Sequence, residues 1–429
     1  MEASGLLNKH RGERAALVGV ERPDQPAWLV HDGLDELELL AATDGLTAAL
    51  RFTPRVTRLN PATYIGKGKT EELGRQAREN GARVILFDEE LSPAQNRNIE
   101  KLIGLPVLDR TQVILDIFAQ RAVSHEGRLQ IELARLEYAL PRLRHRLTQL
   151  GQQRGAIGVM GGAGEQQLEL DRRRVTERIA RLRGELAQVG ARRHELRRGR
   201  RRHGWGLVCL VGYTNAGKST LLNALTGARI YADDLLFATL DPTTRRLNLP
   251  RRQPALLTDT VGFIRKLPHR LVQAFKATLE EVREADALLH VVDAAHPRAD
   301  AQIEAVLAVL GELGALDKPI VTALNKTDLP EGAARVRALA DRFAHPVAIS
   351  ARTGAGFDDL RAALGRALGA QTTARRYRIP AGDGALLARL REGAEMLDER
   401  YESDWAIIRA RVPERLRPAL EPYRWEDGE

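Results

Sequence analysis

Between Gly212 and Thr220 the chain reads Gly-Tyr-Thr-Asn-Ala-Gly-Lys-Ser-Thr, a run whose residue types suit a phosphate-bearing ligand. Glycine at 212 and 217 lets successive amides turn inward as an anion nest, with Tyr213, Thr214, Asn215 and Ala216 contributing the amides between them. Lys218 then places a cation on the β- and γ-phosphates of a nucleotide, Ser219 offers its hydroxyl to Mg²⁺, and Thr220 opens the helix behind the loop. Phosphoryl transfer is the chemistry these residues can do. Lys218 is a candidate catalytic group, because it meets the charge that develops on the transferring phosphate.

Further along, the apolar stretch Ala255–Thr258 ends in Asp259-Thr-Val-Gly262. An aspartate at that place can hold Mg²⁺ through water, and Gly262 can bring its amide to the γ-phosphate. Between the two motifs, Phe237-Ala-Thr-Leu-Asp-Pro-Thr243 supplies Thr239, a hydroxyl suited to a second protein ligand on Mg²⁺ once γ-phosphate is bound. The stretch Pro319–Leu324 delivers Asn325-Lys-Thr-Asp328. Asp328 can accept hydrogen bonds from the guanine N1–H and 2-amino group, a donor pair that adenine lacks, so the site selects GTP over ATP. Charge-assisted bonds are worth about 1.5–3 kcal/mol each, and losing the pair costs roughly 10²-fold or more in affinity. Lys326 can cover the base with its stem, and Asn325 can tie this loop to the phosphate loop. After Pro346–Ile349, the run Ser350, Ala351, Arg352 can give an amide to guanine O6. The ordered series specifies a GTP-binding, GTP-hydrolysing site.

Two positions bear on hydrolysis. Phe263 follows Gly262 where Ras-like enzymes place a water-orienting glutamine, and a phenyl ring cannot orient water. Slow intrinsic turnover is expected, with water positioning completed on a partner. Asn215 resembles the asparagine of cation-dependent GTPases, which helps hold a K⁺ in place of an arginine finger; the other reading is a loop residue bonding local backbone.

These residues need elements to position them. Leu207–Val211 reads as a buried strand entering the phosphate loop, and Thr220–Leu225 as the helix leaving it. The GTPase domain is expected over 204–370. Ahead of it, 1–127 reads as a small α/β domain with a strand at Arg83–Asp88, helices at Thr70–Asn80 and Pro93–Ile103, and an extended Pro106–Leu108. Residues 128–203 carry a heptad stripe, Leu129, Leu133, Leu136, Leu140, Leu143, Leu147 and Leu150, which resumes at Val175, Ile179, Leu182, Leu186 and Val189. Two such stripes predict an antiparallel helical hairpin, kinked at Pro141. Its tip is the glycine-rich interval Gly151–Gly164, flanked by Arg142, Arg144, Arg146, Arg172, Arg173 and Arg174. This interval suits contact with RNA phosphate or serves as a flexible connector. The basic tract Arg192–His203 is expected as the exposed hairpin end and linker. In 371–429, strands at Tyr377–Pro380 and Trp405–Val412 are expected around a helix from Ala385 to Arg400. The fold class is therefore α/β: a mainly parallel sheet with helices on both faces, preceded by a small α/β domain and hairpin and followed by a small α/β unit.

The bulk numbers fit a soluble chain of about three domains, with 429 residues, 43% hydrophobic, 29% charged and 4% aromatic. A formal charge of +9 points to a polyanionic partner or to arginine-rich surface composition. Cys209 is the sole cysteine, so no intramolecular disulfide is possible, and its apolar surroundings place it in a core. Neither an apolar leader in Met1–Arg14 nor a run of about 18 apolar residues is present, which makes the cytoplasm the default expectation, without membrane contact.

Motifs outside the nucleotide site add a resemblance. Thr63-Tyr-Ile-Gly-Lys-Gly-Lys69, Glu90-Leu-Ser-Pro-Ala-Gln95, Leu108-Asp-Arg-Thr111, Ile114–Ala119 and Glu126–Ala134, together with Phe237–Arg245 and Asp259–Ile264, resemble the HflX family of GTPases in the Obg-related class. The resemblance covers nearly the whole chain. It implies a cytoplasmic monomer that binds the large ribosomal subunit and its rRNA rather than DNA, with the hairpin tip directed toward the peptidyl-transferase region. It further implies splitting or rescue of stalled or idle ribosomes with ribosome-stimulated GTP hydrolysis. ATP binding by the N-terminal region is also implied, with Gly66, Lys67, Gly68 and Lys69 as the nearest residues; a basic glycine turn packed on the sheet is the other reading. One departure stands out. The family's Thr-Arg pair in the tip loop is here Val159-Met160, and its proline is absent. That removes a cationic RNA contact and leaves open a paralogue with altered ribosomal action; the rival reading in another class is a GTP-switched rRNA- or protein-binding module in assembly or regulation.

Overall fold

The computed structural model describes residues 11–143, 161–202, 205–228, 236–237, 241–250, 254–266, 276–369, 374–412 and 416–425. They divide into two compact units: Met1–Gln188 with Asp233–Leu240 and Leu267–Phe275, and Val189–Ala232 with Asp241–Lys266 and Lys276–Glu429.

The first unit is built on a four-stranded sheet of β1 (Arg14–Val18), β2 (Thr47–Phe52), β3 (Val84–Phe87) and β4 (Val107–Asp109), in the order β2-β1-β3-β4. All its pairings are parallel. Ala15–Val18 and Val84–Phe87 are buried without a break, the continuous apolar run of strands covered on both faces. The helix Pro93–Ile103 begins as its sequence dictates: Ser92 and Gln95 form a reciprocal capping box, with proline at the first turn, and Gly104 ends it in a left-handed conformation. The Leu108–Thr111 motif turns out to be structural. Asp109 caps the helix Arg110–Arg121 by accepting from the Gln112 amide. Arg110, 2% exposed, bonds the carboxylates of Asp88 (2.7 Å) and Glu36. Losing one partner of such a buried pair typically costs about 3–5 kcal/mol.

The two long helices of the stripe, His125–Leu143 and Gly161–Arg202, pack through the expected residues: Leu129, Leu133, Leu136 and Leu140 meet Val175, Ile179, Leu182 and Leu186. Arg178 forks onto both oxygens of Glu132 at 2.7 and 2.8 Å, and Arg183 reaches Glu137 at 2.7 Å. Pro141 lies within the first helix. Two expectations are corrected. The second helix already starts at Gly161, inside the interval expected as loop, and it runs through the basic tract to Arg202 where a linker was expected. Once nucleated, a helix gains one hydrogen bond for each residue fixed, and arginine is a good helix former, so like charges and glycines do not stop it. Arg144, Arg146, Leu147, Leu150 and the segment 151–160, with Val159 and Met160, lie outside the described residues.

In the second unit β5 (Gly206–Gly212), β6 (Thr243–Asn248), β7 (Pro254–Asp259), β8 (Ala287–Asp293), β9 (Ile320–Asn325) and β10 (Pro346–Ala348) form a six-stranded sheet, β10-β9-β8-β5-β7-β6. Only β6 runs antiparallel to its neighbour. Alternation along β8 and β9 sends side chains to two cores. Leu289, Val291 and Val321 join Leu221, Leu222, Leu360 and Leu364 from the helices Lys218–Thr226 and Phe357–Gly369. Val292 and Leu324 join Ile303 and Leu339 from Ala299–Glu312 and Pro330–Ala340. The expected mainly parallel sheet, covered on both faces, is borne out.

A separate antiparallel sheet follows, β11 (Ala374–Pro380), β12 (Glu395–Glu402) and β13 (Trp405–Arg411), in the order β11-β13-β12. It packs Tyr377, Ile379 and Ile408 against Leu387 and Leu390 of the helix Gly384–Gly393. The helix expected to Arg400 stops at Gly393. Residues 395–402 instead pair with β13 across a turn at Ser403, whose φ of +52° reverses the chain. Gly393 and the Ser403-Asp404 turn were the available signals. Among the described residues no helix is long and apolar enough to cross a membrane.

Candidate functional site

Strand β5 ends at Gly212, the loop 213–217 turns, and the helix begins at Lys218. Gly217 sits at φ +94°, and a Cβ there would lie 2.3 Å from the Asn325 amide nitrogen, so both conformation and space demand glycine. Lys218 is 6% exposed, and its Nζ donates to the carbonyls of Gly212 (3.1 Å) and Tyr213 (2.6 Å). Burial lowers its pKa to about 8, with the nearby Asp259 carboxylate opposing the shift. His290 on β8 is held neutral by burial and by that lysine, its pKa lowered to about 4. Asn215 is exposed at φ +59°, a conformation asparagine tolerates.

Beside the loop, β7 delivers Asp259, fully buried, and Ser219 Oγ donates to its Oδ2 at 2.7 Å. A hydroxyl and a carboxylate converging at the mouth of a phosphate loop are hard oxygen donors that fit magnesium. Gly262 lies against the loop so closely that a Cβ would sit 2.9 Å from Thr214 Cγ2 and 3.0 Å from Lys218 Nζ. Phe263 is 1% exposed, its ring in the core. Thr239 lies outside the described residues; nearby Leu236 and Phe237 are buried.

At the end of β9, Asn325 joins three segments. Its Nδ2 donates to Ala216 O (2.8 Å) and its Oδ1 accepts from the Ala351 amide (2.9 Å). Asp328 is exposed, with Oδ1 accepting from Ser350 Oγ at 2.8 Å, and Thr327 Oγ1 donates to Ile349 O. Arg352 is exposed at the rim. Lys326, at φ +66°, pairs through Nζ with Asp293 Oδ2 at 2.6 Å. Asp293 was missed in the sequence, although an aspartate ending an apolar strand between the two nucleotide motifs was the signal. The phosphate loop, Asp259, Gly262, Asn325 and the Ser350–Ala351 turn are thus brought together. The Gly66–Lys69 turn belongs to the first unit: Gly66 opens the helix Lys67–Glu79, Thr70 Oγ1 donates to Gly66 O, and exposed Lys67 faces Glu71 at 3.8 Å.

With this geometry in place, comparison with known proteins decides the family. Residues 31–119 match the model of the GTP-binding GTPase N-terminal region, 121–200 that of its middle region, and 207–326 that of the 50S ribosome-binding GTPase. The chain is 45% identical over 411 residues to GTPase HflX of Lacrimispora saccharolytica, covering 95% of each chain. It is 43% identical over 404 residues to that of Escherichia coli, covering 94% of each. The chain belongs to the HflX family of GTPases. GTP is the substrate of an HflX GTPase, and hydrolysis to GDP and phosphate its reaction. Ser219 and Asp259 would hold the magnesium such enzymes use, whose charge offsets that of the phosphates. Lys218 already spends its donors on carbonyls that phosphate oxygens can replace.

Proposed function

We propose that this HflX GTPase reads guanine with Asp328, cradles the phosphates with residues 212–220 and Lys218, and takes the Gly262 amide to the γ-phosphate. The observation that carries this reading is the Asn325 bridge, which binds base-reading loop, phosphate loop and Ala351 into one frame. Thr239 is the second magnesium ligand in this reading. Residues 204–370 act as the GTPase domain and 371–429 as a separate small unit, a division supported by their separate sheets and cores.

The large ribosomal subunit is the partner we infer, in the cytoplasm, with the protein acting as a monomer that splits or rescues stalled or idle ribosomes and is stimulated by them. Support comes from the match to the ribosome-binding GTPase model and from the arginines Arg172, Arg173 and Arg174 on the second long helix. Gradient sedimentation of intact ribosomes with the protein and GTP, GDP or no nucleotide tests it. GTP-dependent separation of subunits is expected, and unchanged 70S particles in every arm refute splitting. The second reading, a GTP-switched rRNA- or protein-binding module, is favoured by Val159-Met160 at the tip; binding without separation would select it. Asn215 is assigned to K⁺. Turnover is then faster in KCl than in NaCl at equal ionic strength, and identical rates remove the assignment.

A further inference from the structure

Phosphate loops bind through main-chain amides, so the residue after the first glycine needs no particular side chain for that purpose. Here it is a tyrosine, 8% exposed, and its hydroxyl accepts a hydrogen bond from the Arg265 amide at 2.8 Å. The stretch leading to Arg265 is laced to β5 and the loop along its length. Thr260 Oγ1 donates to Leu210 O at 2.6 Å, the Phe263 amide to Gly212 O at 3.0 Å, and the Thr214 amide to Phe263 O at 2.8 Å. Of these contacts, the Tyr213 hydroxyl alone is a side chain of the phosphate loop, and it holds the far side of Gly262. The consequence is the place of Gly262, whose absent Cβ would be 3.0 Å from Lys218 Nζ.

We propose that Tyr213 is a positioning residue for the γ-phosphate. Through Arg265, its hydroxyl fixes the chain so that the Gly262 amide stands ready beside the Lys218 ammonium. The inference rests on the site reading above and deepens it. An amide already in place loses no freedom when it meets its ligand, so preorganisation appears as affinity. GDP has no γ-phosphate and does not use Gly262. Removing the hydroxyl therefore weakens GTP binding and leaves GDP binding alone, a split that general loosening of the loop does not produce.

Tyr213→Phe removes one oxygen and keeps the ring. Dissociation constants of the full chain for GDP and for a non-hydrolysable GTP analogue, both with magnesium, are the measurement. We expect the analogue to bind about fivefold more weakly, the worth of one ordinary hydrogen bond, with GDP unchanged. Equal weakening of both nucleotides, no change in either, or tighter binding of the analogue overturns the inference, the last because the contact would then block the γ-phosphate. Absence of guanine-nucleotide binding by the wild-type chain would instead sink the site reading beneath it.

Discussion

The two ends of the nucleotide site are built on different principles. At the base end, side chains hold side chains and turns: Ser350 fixes Asp328, Asn325 spans Ala216 and Ala351, and Lys326 pairs with Asp293. At the phosphate end, the ammonium of Lys218 rests on two carbonyls, and the Ser219 hydroxyl rests on Asp259. Each of those donors and acceptors is a group that phosphate or magnesium can claim. On the proposed function, the base end is thus preformed, whereas the phosphate end would exchange its internal partners for ligand. In the proposed reading, selectivity for guanine belongs to the first and response to the third phosphate to the second.

Asp328→Asn is the sharpest way to break this division. The amide presents a donor where guanine also presents donors, so GTP affinity is expected to fall roughly 10²-fold or more while xanthosine triphosphate gains. Unchanged GTP affinity in a competition assay would refute Asp328 as the base reader. Next in size is Asn325→Ala, which severs the tie between the two ends. Two buried bonds at about 1 kcal/mol each imply a loss of about 30-fold, shared equally by GDP and GTP because the frame, rather than the γ-phosphate contact, is disturbed. A loss confined to GTP in calorimetry would mean that Asn325 serves the phosphate end.

Legibility in the sequence follows the same line. The positions of the phosphate loop, Asp259 and Asn325 could be read because each stands at the end of an apolar strand, which does not depend on distant packing. Strands β3 and β5 could be read from uninterrupted apolar runs, and β9 from a run broken only by Thr322. The edge strand β12, Glu395–Glu402, could not: five of its eight residues are charged, and pairing with β13, not its own composition, makes it a strand. The Arg192–Arg202 tract misled for the opposite reason, since its charge suggested a linker although helix propagation decides. Contacts between a side chain and a backbone amide far along the chain, such as Tyr213 with Arg265, leave no spacing signature at all.

Asp293 gives the smallest expected effect and the finest test of a preformed base end. Its carboxylate holds Lys326 Nζ at 2.6 Å, with the two side chains 11% and 33% exposed, and Lys326 itself sits in the left-handed region that a non-glycine residue adopts at some cost. If the pair steadies the lysine stem over the base, Asp293→Asn should weaken GDP and GTP alike by about two- to fivefold, the worth of a partly solvated ion pair. The preference for guanine over xanthine should stay, because Asp328 and Ser350 are untouched. The wild-type affinity should also approach that of the variant as KCl rises, since screening removes the same attraction. A change of base preference in the variant would show that Asp293 takes part in reading the base and that the reader is not confined to the Asp328–Ser350 pair.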